Sequence, residues 1–159
     1  MNTRLLTPSA DIFAPFGSLI QMPSEKATVS TEFFDYWHNV CDLSSLEMKE
    51  PVVGFLRVVK REFVLNKMEK HVLSDEIFIP LTGYGVFSLC PAENDPSKEP
   101  DKITHFFIGS ESAFLLRKGT WHWAPYPLTD EMRFLIIVDK ATVERDIHIV
   151  EFETPVRIL

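Results

Sequence analysis

From Pro51 onward the chain is a succession of short runs rich in branched and aromatic residues, each closed by glycine, proline or a polar turn. PVVGFLRVVKREFVL, EIFIPL, GVFSLC, ITHFFIG, SAFLL, TWHWA, MRFLIIVD and IHIVEFE all have the length and composition of β-strands. Helical periodicity is scarce. The segment SADIFAPFG has room for one short helical turn capped by Ser9, ended by Pro15 and Gly17, and SLIQM then reads as a strand. Many short strands without crossover helices exclude a parallel sheet and predict an all-β, closed or sandwiched antiparallel sheet with one or two short helical turns.

The chain has 159 residues, enough to bury about two-thirds of its unfolded surface, and no linker or internal repeat divides it. Residues 1–159 are therefore expected to form a single domain. Residues 23–50 read as an irregular excursion, and PAENDPSKEPD, with three prolines, as an exposed loop. The formal charge of -7 argues against a duplex nucleic acid partner, which needs a basic footprint. It leaves room for a locally positive pocket and a small carboxylate substrate. Two cysteines, Cys41 and Cys90, make neither a thiolate metal box nor a disulfide framework. No run of 18 apolar residues suits a membrane span, and Pro8 and Asp11 interrupt any leader-like core, so a cytoplasmic chain is expected.

The stretch EKHVLSDEIFIPLTG carries the chemistry. Glu69 and His71, two apart, project from one face of a strand. Glu76 follows five residues after His71, and Gly83 seven after that. Much later, in RKGTWHW, Gly119 precedes His122 by three. An antiparallel barrel can bring the two patches together. Two imidazoles with one or two carboxylates suit a divalent first-row metal when thiolates are lacking. Glu69, His71, Glu76 and His122 are thus the candidate catalytic residues and, if a metal is present, its ligands. A lone strand histidine is more often packed or exposed than functional; the joint pattern sets these apart, because a buried Glu needs a partner or a role.

The spacing His71-x4-Glu76-x6-Gly83, followed by Gly119-x-x-His122, resembles the two cupin motifs. A cupin-type antiparallel β-barrel, a double-stranded β-helix or jelly roll, is the fold that this resemblance implies. More of the chain is similar to the ureidoglycolate lyase family: FAPFGSLI, WHNVCDL at residues 37–43, GFLRVVKREFVL, MEKHVLSDEIFIPLTG and GTWHWAPYPL. Two positions depart from that family, Lys70 where it has Arg and Glu76 where it usually has Gln.

The resemblance implies cleavage of ureidoglycolate to urea and glyoxylate by acid-base elimination. Glu69 or Glu76 would be the base. His71 and His122 would hold one divalent ion (Ni, Zn or Mn) or act directly as acid and electrophile. Arg57 is a candidate for the substrate carboxylate, and Tyr84 and His38 for the pocket wall, His38 in one version from a neighbouring subunit. Lys70 is expected on the opposite face from its neighbours, and Trp121 and Trp123 in packing. Two other readings stay open: a metal-dependent cupin acting on a small sugar or keto acid, and a non-catalytic ligand-binding cupin. A homodimer is expected, with MRFLIIVD and IHIVEFE supplying a buried face or an edge.

Overall fold

The computed structural model describes residues 5–158; Met1 to Arg4, where the segment read for a leader begins, and Leu159 lie outside them. In chain order the early strands are β1 (Leu5–Leu6), β2 (Gly17–Gln21), β3 (Val29–Ser30), β4 (Asp35–Tyr36), β5 (Pro51–Val59), β6 (Val64–Lys70) and β7 (Glu76–Thr82). There follow β8 (Gly85–Cys90), β9 (Thr104–Ile108), β10 (Ser112–Leu116), β11 (Trp121–His122), β12 (Tyr126–Pro127), β13 (Glu131–Asp139) and β14 (His148–Arg157). Helices are limited to α1 (Ala10–Phe13), α2 (Thr142–Arg145) and a 3-10 turn at Pro100–Lys102. No helix among the described residues is long and apolar enough to cross a membrane.

One sheet runs β1-β9-β8-β11-β6-β14, with β12 also paired to β8; the other runs β2-β10-β7-β13-β5. All pairings in the two are antiparallel except the short β1–β9 contact. Alternation along the strands sends Phe78, Phe114 and Phe134 of one sheet toward Phe87, Leu89 and Phe106 of the other. Phe13 and Phe16, at and just beyond α1, plug the same core, with Phe13 tilted against Phe106 and Phe114. This is the all-β architecture of packed antiparallel sheets expected from the strand pattern.

A second apolar cluster coats the outer side of the first sheet: Met68, Val86, Cys90, Trp121 and Tyr126, joined by Ile103 and Ile158. Trp121 and Trp123 belong to it, as the packing role predicts, and Lys70 lies with its ammonium 4.3 Å from the Trp121 ring centre. The 91–101 loop is less exposed than its composition suggests. Trp121 donates its indole N–H to the Asn94 carbonyl at 2.9 Å, Glu99 accepts from Asn94 and Asp95, and Pro96 is buried. The excursion at 23–50 is irregular apart from the two-residue hairpin β3–β4.

Three local expectations change. Ser9 occupies the cap position of α1 without a side-chain bond; its carbonyl takes the Phe13 N–H instead. The run PVVGFLRVVKREFVL breaks into β5 and β6, so His71 falls one residue past the end of its strand. MRFLIIVD, as β13, is an interior strand between β5 and β7; among the described residues the edge strands are β2 and β5 in that sheet and β1 and β14 in the other.

Both motif glycines have a backbone reason. Gly83 (φ +79°) and Gly119 (φ +87°) occupy the left-handed region that a side chain disfavours. A Cβ at Gly83 would stand 2.5 Å from the Glu131 carbonyl oxygen and 2.6 Å from Thr129 Oγ1. Gly83→Ala should cost about 2–4 kcal/mol in urea unfolding, from strain plus displaced backbone. A loss below about 0.5 kcal/mol would show that the turn relaxes freely.

Candidate active site

Glu69 sits on β6 directly opposite His122 of β11, and Leu89 of β8 opposes His122 on its other side. Because Leu89 points into the core between the sheets, so do Glu69 and His122. Glu76 opens β7 in the facing sheet, and the five-residue connection 71–75 joins the two sheets at one end. The sequence patches therefore converge as expected, even though His71 is a loop residue.

The cluster is tight and mostly buried. His71 Nε2 lies 3.4 Å and His122 Nε2 3.3 Å from the same oxygen, Glu76 Oε2. Glu69 Oε1 stands 3.9 Å from His122 Nε2, and the two imidazole rings are 5.1 Å apart in an edge-on arrangement. His71, Glu76 and His122 are buried, whereas the Glu69 side chain keeps 24% of its surface in solvent. Phe78 and Phe87 form an aromatic floor against the His122 ring.

Tautomers are set from behind. His71 Nδ1 lies 2.6 Å from the Asp146 carbonyl and His122 Nδ1 3.0 Å from the Thr120 carbonyl. A carbonyl only accepts, so both Nδ1 atoms carry protons, and in the neutral rings both Nε2 lone pairs face the cluster. Glu76 Oε2 and His122 Nε2 are buried without a hydrogen-bond partner. One ligand atom each from Glu69, His71 and His122 fits within a 4.8 Å span. This donor set, imidazole and carboxylate with the back nitrogens already engaged, fits a divalent cation.

The loop that carries His71 and Glu76 is clamped by two further buried carboxylates. Asp146, 2% exposed, accepts the Val72 and Leu73 N–H groups at 2.8 Å each. Asp75 accepts the Glu47 and Lys118 N–H groups at 2.9 and 2.8 Å. Ser74 and Thr142 share a hydroxyl contact, and Gly119 donates its N–H to the His71 carbonyl. None of Asp75, Asp146 or Thr142 was singled out from the sequence. Asp146 follows a four-residue helix too short to leave a periodic signal, and Asp75 reads as one acid among many.

Three other sequence candidates do not join the cluster. Arg57 alternates between the inward Leu56 and Val58, so it faces out, 59% exposed and 2.6 Å from Glu131. Tyr84 is exposed in the β7–β8 turn, five residues along from Leu89, the partner of His122, and packs on Phe107. His38 lies in the exposed excursion, with its ring bonded to the Tyr36 hydroxyl.

Burial pushes the Glu76 carboxyl up, but the close approach and charge of His122 and His71 outweigh it and hold the group down to about 2. For His71, burial works against the charged form. Glu76 chiefly, then the Asp146 carbonyl and Glu69, reverse this and raise it above the ordinary histidine value.

The family model for ureidoglycolate lyase matches residues 1–159. The chain belongs to the ureidoglycolate lyase family. Ureidoglycolate lyase 2 of Rhizobium meliloti (strain 1021) is 28% identical over 132 residues, covering 79% of this chain and 78% of its own. The ureidoglycolate lyase of Escherichia coli (strain SMS-3-5 / SECEC) is 22% identical over 148 residues, covering 91% and 88%. Among solved structures, CapF in complex with 3-isopropenyl-tropolone aligns with a TM-score of 0.46 at 14% identity, over 95% of this chain and 34% of that one. The residues brought together here are those of this chain's MEKHVLSDE and GTWHW segments.

The two shifts give the cluster a signed pH dependence. The lowered Glu76 carboxyl favours the folded state above its ordinary value of 4.5, and that contribution fades as pH falls toward about 2. The raised His71 contributes below 6.5 and loses its share as pH rises through its folded value. In chelator-treated protein the stability gap between wild type and Glu76→Gln should therefore be widest between about pH 4.5 and 6.5. It should narrow by on the order of 3 kcal/mol toward pH 2. Parallel urea-midpoint curves across that range would contradict the ionised Glu76.

Proposed function

We propose that this chain is a carbon-nitrogen lyase that releases urea and glyoxylate from ureidoglycolate, a step of allantoin and purine breakdown. The observation that carries the proposal is the buried pair of imidazoles aimed at one Glu76 oxygen, in a chain whose family match spans residues 1–159. That full-length match does not favour a sugar or keto-acid cupin or a non-catalytic binding cupin.

The reaction cleaves the bond between the carbinol carbon and the ureido nitrogen. A base takes the hydroxyl proton, the O–H electron pair becomes the second bond of the new carbonyl, and the C–N pair leaves with the nitrogen. That nitrogen then needs a proton. Of the four clustered residues Glu69 alone has substantial solvent contact, so it is the group best able to meet the hydroxyl and act as base. Glu76 is too weak a base at about 2; its fixed negative charge instead favours the protonated form of His71. His71, with Nδ1 tied to Asp146, delivers its Nε2 proton to the departing nitrogen, and Glu76 accepts no proton in the cycle. His122 keeps Nε2 turned toward the same point and completes a walled, anion-balanced site.

In the alternative arrangement, a divalent ion such as Ni, Zn or Mn would be held by Glu69, His71 and His122 with Glu76 beside them and would supply Lewis-acid polarisation of the substrate's oxygens, a role that replaces proton delivery from His71 Nε2. The chain works as a single domain, in the cytoplasm, and as a homodimer. The edge strand β5 and its exposed Val53, Phe55 and Val59 support self-association, and two free cysteines suit a reducing compartment.

Racemic ureidoglycolate should yield urea and glyoxylate in equal amounts, from one enantiomer. Glu69→Gln and His71→Ala should each lower kcat by about 10²–10⁴; melting should stay unchanged in Glu69→Gln and fall in His71→Ala, which leaves the buried Glu76 short of a partner. No turnover by wild type, as purified or after loading with each divalent ion, would refute the assignment. Glu69→Gln at wild-type rate would remove the base. Sedimentation at micromolar concentration should give twice the chain mass; a monomer would refute the dimer.

A further inference from the structure

Outside the cluster lies a cavity of about 630 Å³ formed by the 61–67 segment, Trp123, Tyr126 and the end of β14. Its lining brings two cationic side chains, Arg61 and Lys67, against one acid, Glu62, with Arg157, which has an interaction of its own, also in the wall. This excess of positive charge stands out in a chain that carries 23 acidic and 16 basic residues.

Two of the cations are held in place without a carboxylate. Arg61 donates to the Pro125 carbonyl at 2.9 Å and to the Ala124 carbonyl at 2.6 Å, and its guanidinium carbon lies 3.7 Å from the Tyr126 ring centre. Lys67 holds its ammonium 4.7 Å from the centre of the Trp123 ring. Neither forms an ion pair among the described residues. Elsewhere Arg57, Arg133, Lys98, Lys118 and Lys140 all find a carboxylate. Both side chains are half-buried, where water compensates a charge only in part.

Fixing each cation on an aromatic face removes the rotamer freedom that a surface Arg or Lys would lose on meeting an anion. Arg61 has five N–H donors and spends two on carbonyls, so three remain. Val64, Pro155 and the aromatic edges make the rest of the wall apolar. A planar carboxylate matches a fixed guanidinium, and the volume admits a body of metabolite size beside it.

We infer that this cavity is a second binding site, separate from the acid-base cluster, for a small organic carboxylate with an apolar body. Arg61 and Lys67 supply the counter-charge, and Trp123 and Tyr126 hold both in register. The site stands apart from the proposed lyase reaction and does not depend on it.

NMR of full-length protein titrated with benzoate tests the site, read at the Trp123 indole N–H and the Arg61 side-chain N–H. Saturable shifts are expected in wild type and equally in Glu69→Gln, which separates this cavity from the cluster. Lys67→Met should weaken binding roughly tenfold and Arg61→Gln/Lys67→Met should abolish it, with urea midpoints of the single variant unchanged. Shifts that persist undiminished in Lys67→Met would overturn the role of the cations. Shifts lost in Glu69→Gln would assign benzoate to the cluster instead. Response to inorganic phosphate but not benzoate would overturn the carboxylate assignment, and no saturable shift with either would remove the site.

Discussion

A carboxylate buried between two imidazoles organises this molecule. Glu76 has lost nearly all contact with water and accepts no hydrogen bond at Oε2, so its charge is tolerated only because His71 and His122 face it. The imidazoles in turn would swing freely without the backbone carbonyls of Asp146 and Thr120 behind them. Each layer thus depends on the one outside it: ligand atoms on tautomers, tautomers on main-chain oxygens, and those oxygens on two more buried acids that fasten the connecting loop.

The division of labour between the acids follows from exposure. Glu76 is enclosed and held ionised, which suits it to balance positive charge and unsuits it to take up a proton. Glu69, on the strand opposite His122, keeps a solvent-facing edge and can meet an incoming hydroxyl. Two residues of the same type thereby take different parts because one is walled in by Phe78, Phe87 and the imidazoles and the other is not.

Much of this was legible in the residues. The strand set, the absence of long helices and the convergence of Glu69, His71, Glu76 and His122 follow from composition, alternation and a recognisable spacing. Gly83 and Gly119 carry the turns that the motif spacing implies. What stayed hidden is non-local. Arg57 alternates outward because Leu56 and Val58 take the core, and this phase is fixed only by the pairing of β5 with β13. The polar 91–101 loop is partly buried by Trp121, whose partner no local pattern names. Asp146 anchors His71 from seventy-five positions away, beyond the reach of any periodicity.

That long reach bears on the order in which the molecule is completed. The strand bearing Glu69 and the loop bearing His71 leave the ribosome well before Asp146 does, and His122 arrives between them. Until the residues around 146 emerge, Val72 and Leu73 have no acceptor and His71 no fixed orientation. A nascent chain without the segment around Asp146 would therefore hold its acidic centre open and hydrated, and desolvation of Glu76 would wait for that segment.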